Sequence, residues 1–128
     1  MIYLDSSVAL ADLLSEDRRS SPDIWNQDLT SSRLLEYEVW NRLHARGLAQ
    51  SHAREVTALF DKIYLVELSP IVLRRALNPF AIPVRTLDAL HLATIDHLRA
   101  EGEAVELATF DRRMTTAARA LGISIYAS

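Results

Sequence analysis

The sequence predicts an α/β fold, a single-domain α/β/α sandwich over residues 1–128 with a central, mostly parallel sheet. Three observations carry this expectation. Short apolar runs alternate with segments of helical period from one end of the chain to the other. The run Ile63-Tyr64-Leu65-Val66-Glu67-Leu68 is continuously apolar more than it alternates, as a parallel strand covered on both faces would be. Gly47 and Gly122 each stand just past a helix-period stretch, where a glycine can take the left-handed turn that ends a helix.

Ile2 to Leu4 is too brief for a helix and reads as a buried strand, stopping at Asp5. Ser6-Ser7 and the spacing of Val8, Leu10, Ala11 and Leu14 then predict a helix, so Asp5 occupies a strand-to-helix turn. Ser15 to Pro22 is a polar turn, and Pro22 opens a short helix through Asn26. Leu29-Thr30-Ser31 is a weak strand signal in itself. It gains weight from the helix that follows, Ser32 to Leu43, with Ser31 or Ser32 as cap and a stripe of Leu35, Val39 and Leu43 widened by Leu34 and Trp40. Ser51 is placed to cap the next helix, whose apolar face is Ala53, Val56, Leu59 and Phe60, and the two helices are expected to form an antiparallel hairpin. Ser69-Pro70 begins a helix with Ile71, Leu73 and Leu77 expected on its buried side and Asn78-Pro79 closing it. A two-proline loop follows, then Thr86 as cap of the helix Leu87 to Arg99, a strand Val105 to Thr109, a turn at Phe110-Asp111, a helix Arg112 to Leu121, and a last strand Ile123 to Tyr126.

Composition narrows the chemistry. There are no cysteines, which excludes disulfides, thiolate metal sites and cysteine nucleophiles and fits a cytoplasmic location. The start Met1-Ile2-Tyr3-Leu4-Asp5 lacks a basic segment and meets an acid at once, and no apolar run is long enough to span a membrane, so neither a signal peptide nor a membrane anchor is expected. The net charge is −3, from 17 acids and 14 lysines and arginines, so any polyanion must be met locally and not by the whole surface. Lys62 is the only lysine; the remaining bases are arginines, which suit bidentate phosphate contacts.

In parallel α/β sheets ligands lie beyond the strand C-termini. Asp5 and Asp111 follow two such strands and meet if those strands are neighbours. Glu38 borders the Leu34/Leu35 and Val39 stripe and so faces partly inward, and Asp88 lies in the first turn of its helix. Four carboxylates in one cleft repel each other unless a cation neutralises them, and an all-oxygen set points to Mg²⁺ or Mn²⁺. Each acid also has a plain structural reading: Asp5 and Asp111 as helix caps, Asp88 as a macrodipole partner. His91, three residues after Asp88, reads as a packed histidine between Leu90 and Leu92 in preference to a ligand or an acid–base partner.

The segments Tyr3-Leu4-Asp5-Ser6-Ser7, the serine-rich approach to Glu38, Arg85-Thr86-Leu87-Asp88-Ala89-Leu90-His91-Leu92-Ala93-Thr94, and Ala108-Thr109-Phe110-Asp111-Arg112-Arg113 resemble the PIN domain, and more narrowly the VapC-type toxins of bacterial toxin–antitoxin pairs. The resemblance covers nearly the whole chain, in order. It implies a Mg²⁺- or Mn²⁺-dependent endoribonuclease, usually dimeric and held inactive by a small VapB-like antitoxin. The family's acidic quartet matches Asp5, Glu38, Asp88 and Asp111 as catalytic residues, with Asp5, Asp88 and Asp111 as metal ligands. Ser6 matches the small hydroxyl that follows the first acid, and Arg112 stands where it can meet phosphate. Glu36 competes with Glu38 for the second position; the apolar pair Val39-Trp40 favours Glu38. Where such toxins often carry an arginine this chain has Asn41, with Arg42 beside it.

Two other classes compete. A phosphatase or receiver-like phosphoryl-accepting domain would use Asp5 as acceptor, but the phosphatase wants a second acid where Ser7 stands and the receiver a late lysine that is absent. A non-catalytic module would keep the fold and bind a partner through the apolar faces of the Ser32 to Phe60 hairpin.

Overall fold

The structure, a computed structural model, describes residues 1–127, so the last residue of the expected 1–128 domain lies outside it. Among the described residues, five parallel strands form one sheet in the order β3-β2-β1-β4-β5. The strands are β1 (Ile2–Leu4), β2 (Leu29–Ser32), β3 (Ile63–Val66), β4 (Glu106–Ala108) and β5 (Ser124–Ile125); the helices are α1 (Ser6–Leu13), α2 (Leu34–Ala45), α3 (Ala53–Phe60), α4 (Pro70–Leu77), α5 (Thr86–Ala100) and α6 (Arg112–Ala120), with a 3-10 turn at Pro22–Asn26. The chain builds β1 to β3 toward one edge and returns to the other side of β1 for β4 and β5. The order therefore switches at β1 and β4, where a crevice opens at the strand C-termini.

Alternation along β1 divides the core. Ile2 and Leu4 face the layer of α1, α2 and α3 with Val8, Leu35, Val39, Leu43 and Val56, while Tyr3 faces the layer of α5 and α6 with Leu92, Ile95, Met114 and Ala118. Strand β2 explains its own weak signal. Thr30, Ser31 and Ser32 are fully buried beside Leu29, and each hydroxyl is satisfied: Thr30 Oγ1 donates to the Tyr64 carbonyl at 2.9 Å, Ser31 Oγ to the Leu4 carbonyl at 2.7 Å, and Ser32 Oγ accepts from the Leu34 amide at 3.0 Å. Ser32 Oγ thus meets the first amide of α2, but the cap position falls to Arg33, whose side chain makes no capping bond; Ser51 does not cap α3 either, since its hydroxyl turns back to the Leu48 carbonyl and His52 takes the cap position.

Helix α4 corrects an expectation. Ile71, Leu73 and Leu77 are exposed, at 58%, 42% and 86%, and Val72 is the buried residue. The face turned to α5 is Val72, Arg75 and Ala76, because Arg75 Nε pairs with Asp96 Oδ2 at 2.9 Å and its guanidinium stacks 4.1 Å from the Phe80 ring centre. Asp96, two turns beyond Asp88 on α5, is thereby tied to α4. The large exposed apolar side chains accordingly gather on α4, with Tyr64 and Leu87, and only Tyr37 belongs to the Ser32 to Phe60 segment. No described helix is long and apolar enough to cross a membrane.

Candidate active site

Asp5 sits where β1 ends beside β4, with its amide donating to the Ala108 carbonyl at 3.0 Å and its own carbonyl accepting from the Val8 amide at 3.1 Å. Its side chain caps no helix amide. Instead Oδ2 accepts from Ser7 Oγ and from Thr109 Oγ1, each at 2.7 Å. Those hydroxyls also receive backbone amides, Phe110 N to Ser7 and Asp111 N to Thr109, which ties the turns after β1 and β4 together. The buried Asp5 carboxylate is therefore held rigidly at the switch point.

Asp111 combines its structural reading with a second role. Oδ1 caps α6 by accepting from the Arg113 amide at 2.9 Å, and Oδ2 accepts from Arg85 Nη2 at 3.1 Å. Arg85, extended at the start of α5, also reaches Asp88 Oδ2 through Nε at 3.3 Å and so bridges the two carboxylates. Asp88 nonetheless holds its proton more tightly than an ordinary aspartate. Burial is the main cause, the charges of Asp111 and Asp5 add to it, and Arg85 offsets part of it. A folded value above the unfolded one penalises folding at pH above both values, and the penalty fades as pH falls from the folded value to the unfolded one. In ion-free buffer at neutral pH, Asp88→Asn is expected to melt above the wild type, and thermal scans should show the gap closing on acidification.

Glu38 is the acid that α2 turns to the same cleft. Its Oε1 accepts from His91 Nε2 at 2.6 Å, and Ser6 Oγ approaches Oε2 at 3.5 Å. Glu36 is engaged elsewhere, by Arg33 Nη1 at 2.6 Å. Arg42, one turn beyond Glu38 on the same helix face, lines the cleft as well.

Asp5, Glu38, Asp88 and Asp111 thus come together in one cleft of about 710 Å³, with Ser6, Glu16, Arg18, Arg42, Arg85 and Phe110 among its other walls. Arg112 is not in this cleft. It lines an adjoining recess that shares Arg85 and Asp88. Among the described residues no three acidic or histidine side chains are drawn into a ready-made chelate, and Asp88 and Asp111 are tied through Arg85. A larger groove, about 800 Å³, runs between α4, the following loop and α5; its walls are mainly apolar and carry no carboxylate, so it offers no acid chemistry.

The model of the PIN domain family matches residues 2–120. The chain belongs to the PIN domain family. This PIN domain is also 33% identical, over 98% of its own length and 96% of the relative's, to Ribonuclease VapC46 of Mycobacterium tuberculosis. The five-stranded parallel sheet with helices on both faces is the architecture expected from the motifs. Sequence reasoning missed Ser7 and Thr109 as the groups that hold Asp5, His91 as the partner of Glu38, and Arg42 as a cleft residue.

Proposed function

We propose that this PIN domain is a divalent-cation-dependent endoribonuclease, the toxin of a VapBC-type toxin–antitoxin pair. The observation that carries the reading is the convergence of four carboxylates, from the ends of β1 and β4 and the faces of α2 and α5, on one cleft. The likeness to a ribonuclease of the VapC type supports RNA as substrate and a VapB-like antitoxin as partner.

The donor set fits Mg²⁺ or Mn²⁺: it is all oxygen, and Asp88, whose proton affinity is raised chiefly by burial and further by the charges of Asp111 and Asp5, gains from a cation beside it. Asp5, Asp88 and Asp111 would hold the ion, with Glu38 completing the catalytic acids. When bound, such an ion polarises a phosphoryl oxygen and lowers the pKa of a water. The chain's own residues position everything else. Ser7 and Thr109 fix Asp5, leaving Oδ1 for the ligand role, and Arg18 and Arg42 give the acidic cleft a cationic wall for the RNA backbone. Arg18 is steadied by its stacking over Phe110, at 4.9 Å from the ring centre. Ser6 and, from the neighbouring recess, Arg112 add contacts to flanking phosphates.

Incubation of purified protein with RNA, followed by mapping of the new ends, tests this. Cleavage that needs Mn²⁺ or Mg²⁺, stops on chelation and leaves 5′-phosphates is expected, because water and not the ribose 2′-hydroxyl attacks. Cleavage indifferent to chelation, or 2′,3′-cyclic ends, would contradict it.

A second copy of the chain is the proposed occupant of the exposed apolar face of α4, in keeping with the dimers the motif resemblance implies. Leu77 is 86% exposed, so a charge there leaves the fold intact. Light scattering is expected to show a dimeric wild type and a monomeric Leu77→Glu; a dimer in both, or a monomer in both, places the interface elsewhere or removes it.

A further inference from the structure

We infer that His91 is a positioning residue for Glu38, locking that carboxylate into the cleft through a buried chain of hydrogen bonds that begins at Tyr3. The inference deepens the nuclease reading and rests on it. His91 lies on α5, 1% exposed, and its ring makes two short contacts: Nε2 to Glu38 Oε1 and Nδ1 to the Tyr3 hydroxyl, both at 2.6 Å. The carboxylate partner fixes one proton position. A carboxylate only accepts, so Nε2 carries the hydrogen donated to Glu38. Tyr3 is fully buried, and burial holds its phenol protonated; the hydroxyl donates to Nδ1 of a neutral ring and accepts from Nδ1–H of a charged one, so the contact is satisfied in either state. The rings stand edge to face with centres 5.7 Å apart.

This arrangement does more than satisfy a core histidine. Glu38 is a long side chain on α2 with 16% of its surface open; α5 meets it at Oε1 through His91, and β1 stands one bond further back, through Tyr3 on the other ring nitrogen. Tyr3 belongs to the same strand that delivers Asp5, and His91 to the same helix that delivers Asp88. The relay therefore sets the position of the second acid by the elements that carry the first and third. Metal-site carboxylates are commonly held this way by a partner one layer out, and loss of such a partner costs roughly 10–100-fold in affinity or activity.

The test uses the full chain with RNA and Mn²⁺ and compares His91→Leu, His91→Gln and His91→Asn, each alone and with Glu38→Gln. Gln can set an amide donor near the Nε2 position, whereas Asn falls short of it. We expect His91→Leu and His91→Asn to weaken Mn²⁺ binding and kcat/KM by roughly 10–100-fold, His91→Gln to stay within about threefold of wild type, and none of the three to cost further once Glu38 is Gln. Equal losses for His91→Gln and His91→Asn, or losses that persist unchanged in the Glu38→Gln background, would overturn the inference and leave His91 a packing residue. If His91→Leu fails to fold, the Gln and Asn pair still decides. Nitrogen-15 spectra of the His91 ring supply a readout free of activity: a protonated Nε2 whose resonance moves in Glu38→Gln is expected, and a ring insensitive to that change would contradict the bond. A wild type that neither binds Mn²⁺ nor cuts RNA sinks the nuclease reading instead, and the ring spectra still report on the His91–Glu38 bond.

Discussion

Asp5→Asn is expected to lower kcat/KM for RNA cleavage by about a thousandfold while leaving the fold intact. The loss corresponds to several kcal/mol of transition-state stabilisation, the scale on which a bound divalent ion acts. The substitution is nearly isosteric, and the amide oxygen can keep the hydroxyl donors of Ser7 and Thr109 that hold Asp5 at 2.7 Å. What disappears is the negative charge at the junction of β1 and β4. Circular dichroism and melting close to wild type, with cleavage gone, would separate this effect from unfolding. Undiminished ion-dependent cleavage would show that the cleft acids are not the catalytic machinery.

The largest effect on stability is expected from Leu107→Ala. Leu107 is fully buried in β4, registered between Tyr3 of β1 and Ile125 of β5, and it belongs to the core layer of Leu92, Ile95 and Met114. Removing its branched side chain leaves a cavity between sheet and helices that close packing prevents from collapsing fully. The cost is about 3 kcal/mol, a large part of the roughly 5–15 kcal/mol that holds a domain folded. Thermal denaturation should show the midpoint falling by roughly 10 °C. Leu77→Ala on the exposed face of α4, measured at a concentration where the chain is monomeric, should change stability by no more than about 0.5 kcal/mol. A reversal of that order would mean that the core has been placed on the wrong side of the sheet.

Much of this was legible in the sequence, for physical reasons that differ from residue to residue. Asp5 and Asp111 stand at the ends of short apolar runs, so their edge of the sheet could be read directly. Their meeting depended on β1 and β4 being neighbours, and the pairing of Leu4 with Ala108 supplies that. Glu36 and Glu38 are separated by a 200° turn of helix, yet only the structure shows Arg33 drawing Glu36 away. The hydroxyls of Ser7 and Thr109 were visible as letters, but their joint grip on Asp5 spans more than a hundred residues of chain. The relay from Tyr3 through His91 to Glu38 was hidden for the same reason, because burial alone also describes an ordinary core histidine. Helix α4 misled because it carries apolar residues on two sides; the side that packs holds Val72 and the ion pair of Arg75 with Asp96, a partner 21 residues on that no local periodicity encodes. Strand β2 was faint because its buried face is built from hydroxyls, each paired with a backbone group of a neighbouring element.

Arg85 bears most directly on how the site is charged. It is the cation that the fold itself places between Asp88 and Asp111, while burial and the neighbouring acids keep Asp88 protonating more readily than usual. An ion entering the cleft competes with that guanidinium, so Arg85→Ala should tighten Mn²⁺ binding even if it weakens the grip on RNA. Parallel titrations with Mn²⁺ and with RNA check this; weaker Mn²⁺ binding in Arg85→Ala would mean that the arginine organises the acids more than it blocks them.

The decisive measurement is a calorimetric titration of Mn²⁺ into the wild type and into the double variant Asp5→Asn, Asp88→Asn. Saturable binding by the wild type, lost in the double variant while both remain folded, is the expected result. Equal binding by the two proteins, or none by the wild type, would mean that the carboxylates gathered at the C-terminal edge of the sheet are not a cation site.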